Sequence, residues 1–128
     1  MYGNLLSEKE NVKHWHHVLF DQQFSSYEEW TKKYRHDPEA FSNLFYTQGL
    51  MNMLGMWIKE DLVDRDLLFD RGVNAWVVAL YPKIQPWIMG MRRRYNDPLL
   101  YQYSEYLYNE VMRIYPEMKH PPDLDAPQ

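Results

Sequence analysis

The chain has 128 residues, enough for one domain with a single sizeable core; 45% are hydrophobic and 16% aromatic, which excludes a disordered polypeptide even with 25% charged residues. A formal net charge of −4 would repel nucleic acid in the absence of a local basic patch, so no nucleic-acid partner is expected. With no cysteine, disulfides, thiolate metal sites and cysteine nucleophiles are excluded, and the opening MYGNLLSEKENVKHW carries no basic-then-apolar leader, so the expectation is a soluble, cytoplasmic protein.

Ser7 followed by Glu10 has the spacing of a capping box and predicts a first helix to about Gln22, with Val12, Trp15 and Leu19 in its apolar arc. Ser26 and Glu29 repeat the pattern and predict a short helix ending near Arg35 or His36, with Tyr27, Trp30 and Tyr34 turned inward. Asp37-Pro38 then supplies a cap and a first-turn proline for a central helix to about Lys59.

This helix is the expected centre of the fold. Phe41, Leu44 and Phe45 share one direction, whereas Leu50, Met53, Leu54 and Trp57 point roughly the other way, so it needs covering on more than one side. Gln48 and Asn52 interrupt the apolar run and Lys59, Glu60 and Asp61 end it, which excludes a membrane span. Gly49 and Gly55 each weaken an isolated helix by about 1 kcal/mol relative to Ala, a cost that close approach of a neighbouring helix would explain.

Asp64 or Asp66 caps a short turn of helix over residues 67–69, and Gly72 separates that turn from the next helical run. The acidic run Glu60, Asp61, Asp64, Asp66 and Asp70 lacks the alternating ligands and central glycine of a calcium loop and reads as capping. From Val73 to Arg94 one arc collects Val73, Trp76, Val77, Leu80, Ile84, Trp87, Ile88 and Met91, with Pro82 and Pro86 opposite. That predicts one long kinked helix, with a break at Tyr81 as the alternative. Asn96-Asp97-Pro98 opens a last helix from Leu99 to about Tyr115, its main face formed by Leu99, Tyr103, Tyr106, Leu107 and Ile114. Residues 116–128 form a polar, proline-rich tail, expected to be flexible after a single helical domain at 1–115. No strand pattern occurs, so the fold class is all-α: four main helices and one or two short ones bundled around the central helix.

Four groups of side chains carry chemistry worth testing. Glu10, His14, His17 and Asp21 share a helix face at ligand-like spacing, although an ordinary solvent face has the same composition and no metal site is favoured. Arg92, Arg93 and Arg94 could meet an anion or a membrane surface, against the simpler reading that they complement the helix dipole. Tyr101, Tyr108 and Tyr115 recur every seven residues away from the main face and suit an interface. Gln48, Asn52 and Glu105 are the polar groups that a pocket beside the central helix would use for a cofactor or ligand. No catalytic triad, phosphate loop or nucleotide fingerprint is present, and no cofactor is implied.

The order of features from Phe45 to Leu107 resembles a family of small helical prokaryotic domains of unknown function, some of which follow an N-terminal membrane anchor. The likeness lies in LFYTQGLMNMLGMWIKEDLVDRDLLFD, WVVALYPKIQPWIMGMRRRY and YQYSEYLYNEV, with Trp76, Pro86, Arg92 and Glu105 at the matching positions. It covers about half of the chain, which itself lacks the anchor, and implies a helical domain without an assigned activity. The leading expectation is a non-enzymatic module that forms a homodimer or docks on a protein partner. The alternative is a ligand- or metal-binding domain, and a weaker third is peripheral membrane association through Arg92 to Arg94.

Overall fold

The computed structural model describes residues 8–118, and among these it contains helices and no strands. Helix α1 runs over Lys9–His16 and continues as a π-turn over His17–Asp21. Its expected cap Ser7 lies outside the described residues; the observed N-cap, Glu8, makes no side-chain cap bond. The π-turn is the first departure from expectation. It admits an extra residue per turn, so the buried side of α1 drifts toward His17, fully buried Val18 and Gln22, while Val12, Trp15 and Leu19 are half-buried. The Leu19 carbonyl beside it accepts from Lys83 Nζ at 2.8 Å, and burial lowers the pKa of that ammonium, opposed by the charge of Asp21.

Helix α2 spans Tyr27–Tyr34, and the Ser26 hydroxyl accepts from Glu29 N at 3.0 Å. Helix α3 spans Pro38–Lys59, with Asp37 Oδ1 accepting from Ala40 N at 3.0 Å. Asp64 caps the single turn α4, Arg65–Leu68, which passes into a π-turn over Phe69–Val73. Gly72 sits there at φ 89°, a conformation that a side chain would disfavour. Helix α5 is continuous over Asn74–Arg94 with both prolines inside, Pro82 exposed and Pro86 half-buried, and every residue of its predicted inward arc is buried.

Helix α6 covers Gln102–Ile114, three residues later than expected. Asp97 does cap Leu99 N at 3.1 Å, but the chain then forms a turn, because Arg92 Nε takes the Leu100 carbonyl at 2.8 Å and Tyr101 adopts φ 60°. Leu99 is consequently exposed, and the buried face of α6 is Ser104, Leu107 and Val111.

Helix α3 packs chiefly on α6 and next on α1, and α5 closes the bundle against α6 and α2. The buried residues of α3 include Ala40, Leu44, Thr47, Met51, Leu54 and Ile58, alternating four and three apart, with Asn43, Gln48 and Gly55 alongside. They form one stripe. The helix is covered by α6 and by α1, with Leu50 and Trp57 half-buried against the core, and the side left open carries Phe41, Phe45, Tyr46 and Met56. The stripe that is buried contains the amides, and much of the aromatic surface was left outside. No helix of the described residues is long and apolar enough to cross a membrane.

The two glycines of α3 differ. A Cβ at Gly55 would collide with the backbone of Tyr103, whereas at Gly49 it would meet nothing within 4 Å, so close approach within the chain explains the first alone. Gly55→Ala is expected to destabilise the domain by about 1–3 kcal/mol through overpacking. Gly49→Ala, compared at concentrations low enough to keep chains apart, should stabilise it by about 0.5–1 kcal/mol through helix propensity. Urea unfolding of both variants checks the pair, and equal effects would contradict the packing described.

Candidate functional site

The polar residues of α3 meet the start of α6. Asn52 Oδ1 accepts from the backbone N–H groups of Tyr103 at 3.0 Å and Ser104 at 3.1 Å. A helix start leaves such donors without intrahelical partners, and the residue at the usual cap position, Tyr101, makes no side-chain cap bond. Asn52 thus caps a different helix from its own. Ser104 Oγ completes the contact by donating to the Gln48 carbonyl at 3.3 Å. The Gln48 side chain is buried beside it, and its Oε1, like Thr47 Oγ1, has no hydrogen-bond partner.

Glu105 stands one residue further and pairs with Arg92 at 3.0 Å, in a bridge whose arginine end is largely buried. The structure gives Gln48 and Asn52 to the α3–α6 contact and Glu105 to the α5–α6 contact. The other two arginines diverge. Arg93 reaches Glu28 at 3.4 Å in an exposed pair, and Arg94 donates to the Tyr27 hydroxyl at 3.3 Å. Three consecutive cations at the end of α5 therefore serve three separate neighbours.

Tyr101, Tyr108 and Tyr115 are half-buried and turn toward the core side of α6. Tyr101 stacks on Trp87 with centroids 5.8 Å apart, Tyr108 stacks on Tyr81 at 4.8 Å, and Tyr115 meets Phe69 edge-on at 6.0 Å. The seven-residue spacing thus tracks the seam between α6 and the α4–α5 segment.

The histidine face divides as well. His14 Nδ1 lies 2.8 Å from Asn43 Oδ1 and its ring stacks on Tyr46, while His17 Nδ1 lies 3.3 Å from Gln22 Nε2. Glu10 and Asp21 stay exposed, and among the described residues no three His, Asp or Glu side chains converge as a metal site would require. Gln22, missed in the sequence because it ends a helix, is the connected one: fully buried, it donates to the Ala40 carbonyl at 2.9 Å and accepts from Trp30 Nε1 at 2.9 Å. It fastens α2 to the start of α3. A second feature missed in the sequence is the aromatic cleft beside that junction, lined in part by Trp30, Phe41 and Trp87.

A family model described as a domain of unknown function, DUF4760, matches residues 6–111. The match takes in α1 and α2 as well as the stretch from Phe45 to Leu107. No curated protein and no solved structure matches the chain.

The Arg92–Glu105 pair acts on one titratable neighbour. Tyr81 is buried with its hydroxyl unpartnered, and its pKa is pushed up to about 12 from 10.0, first by burial and then by the charge of Glu105, with Arg92 opposing. The folded state holds the neutral phenol more firmly than the unfolded chain does. Its contribution is therefore fully present below pH 10 and lost as the pH rises through about 12. Tyr81→Phe should reduce the alkaline loss of stability over that window by about 2 kcal/mol. Urea midpoints across the window, read with tyrosinate absorbance, check it; an unchanged slope in the variant would place the phenol in solvent.

Proposed function

The chain belongs to the DUF4760 family, and we propose that it is a non-enzymatic self-association module whose partner is a second copy of itself, docked through the outer face of α3. The observation that carries the reading is the exposed apolar side of that helix. Phe45 is 42% exposed, Tyr46 57% and Met56 37%, and Gly49 stands at the centre of the same face with open space around it. From Phe41 to Ile58 there is no charged residue.

A glycine in mid-helix costs about 1 kcal/mol relative to Ala. At Gly55 the approach of α6 explains it; at Gly49 nothing within the chain does. A second helix crossing there would use the missing side chain in the way α6 does at Gly55. The lack of charge favours the same sequence as partner, because a two-fold contact sets equivalent patches against each other and like charges would repel. Aromatic residues and methionine are also the types enriched in interface cores. Recognition is favoured over chemistry because the polar groups that looked reactive, His14, His17, Asn52, Arg92 and Glu105, each bond to another part of the fold.

Size-exclusion chromatography with light scattering tests the reading. The wild-type chain should run as a dimer at micromolar concentration and above. Gly49→Leu, whose Cβ would meet nothing within 4 Å in the isolated chain, should run as a monomer with unchanged helical circular dichroism. A wild-type monomer at every concentration, or a Gly49→Leu dimer of equal affinity, would contradict it.

A further inference from the structure

Where α2, the first turn of α3 and the end of α5 meet, the surface holds a cleft of about 560 Å³, within the range of small-ligand sites. It adjoins the Gly49 face, since Phe41 in its wall stacks on Phe45 with centroids 5.8 Å apart, but neither Gly49 nor Phe45 lines it. Its walls are rings held by one another: Trp30 meets Trp87 edge-on at 6.1 Å, and Phe41 meets Trp87 edge-on at 6.5 Å and Trp30 at 6.3 Å. Tyr101 stacks on Trp87 and Gln22 holds the Trp30 indole, so both rings are fixed before any ligand arrives. Preformed aromatic walls favour a planar apolar group.

The polar groups point to its charge. Two cations line the cleft, Arg35 and Arg94, and neither pairs with a carboxylate among the described residues. Asp37 is the one carboxylate in the lining, and one of its oxygens accepts from Ala40 N as the cap of α3. In a chain of net charge −4 this is a locally cationic site. Thr31, in the lining, has a buried Oγ1 without a partner, and Trp87 stands behind the wall with no exposed surface.

We infer that this cleft binds a small planar aromatic acid, its ring against the exposed Phe41 in front of the buried Trp30 and Trp87 and its carboxylate at the Arg35 and Arg94 rim. The acid supplies what the cleft lacks, an apolar plane and an anionic acceptor.

Isothermal titration with 2-naphthoate tests it, beside the uncharged 2-naphthylmethanol and the non-aromatic cyclohexanecarboxylate. The expected result is saturable binding of 2-naphthoate, about tenfold weaker for either analogue and for the double variant Arg35→Gln/Arg94→Gln. Arg93→Gln, which alters a cation paired with Glu28, should keep wild-type affinity, and so should Gly49→Leu, which separates this result from the fate of the dimer. Absence of saturable binding, equal affinity for the alcohol, or full affinity in the folded double variant would overturn the inference.

Discussion

The close contact between α3 and α6 is the constraint on which most of the structure depends. Two helix backbones come near enough at Gly55 and Tyr103 that no side chain fits between them. That proximity lets Asn52 take two N–H groups at the start of α6, where loss of a comparable cap costs about 0.5–2 kcal/mol. It also settles the turn before α6. Tyr101, a bulky residue at φ 60°, holds a strained conformation because Asn52 fixes the amides after it, Arg92 the preceding carbonyl and Trp87 its ring. An inner face that must hold an amide, a glycine and the Ser104 hydroxyl cannot also be the most apolar face of α3. The aromatic residues fall on the other side.

A second junction does for the N-terminal helices what Asn52 does for α6. Gln22 lies where the π-turn of α1 ends, and its fully buried amide joins the Ala40 carbonyl to the Trp30 indole. A buried amide left without such partners would cost about 1–3 kcal/mol, so the three groups hold one another in place. The aromatic cleft is the outer side of this junction. Its walls are rings that the fold has oriented for its own reasons, and its cations lie at the ends of α2 and α5, where the helix dipole favours positive charge. Both proposed recognition surfaces, the Gly49 face and the cleft, are thus by-products of how α3 is held at its two ends.

Local signals in the sequence were legible. The caps Ser26, Asp37 and Asp64 and the inward arc of α5 need nothing beyond neighbouring residues, and each is where the spacing put it. Long-range polar contacts were not. Asn52 bonds to residues more than fifty positions away, so nothing nearby distinguishes a capping amide from one that lines a pocket. Without that knowledge both faces of α3 look apolar, and which is buried depends on where Gly55 meets Tyr103. The heptad of Tyr101, Tyr108 and Tyr115 was visible as a pattern, but its direction was set by the late start of α6. The π-turn in α1 left no compositional mark, and His14 and His17, expected on one solvent face, meet separate amides, Asn43 and Gln22. A usable signal for the outer face did exist: Gly49 centres an uncharged, aromatic-bordered surface, with Asn52 at its edge.

The central claim is that two copies meet where α3 carries Gly49, and the absence of cysteine makes it directly testable. A single cysteine placed by Gly49→Cys, in a position with open space in the isolated chain, should be joined rapidly into a covalent dimer by a short bis-maleimide. A cysteine placed by Lys32→Cys on the exposed side of α2 should give none at the same concentration. Equal yields from the two positions, or no covalent dimer from Gly49→Cys at concentrations where the wild-type chain associates, would contradict the account.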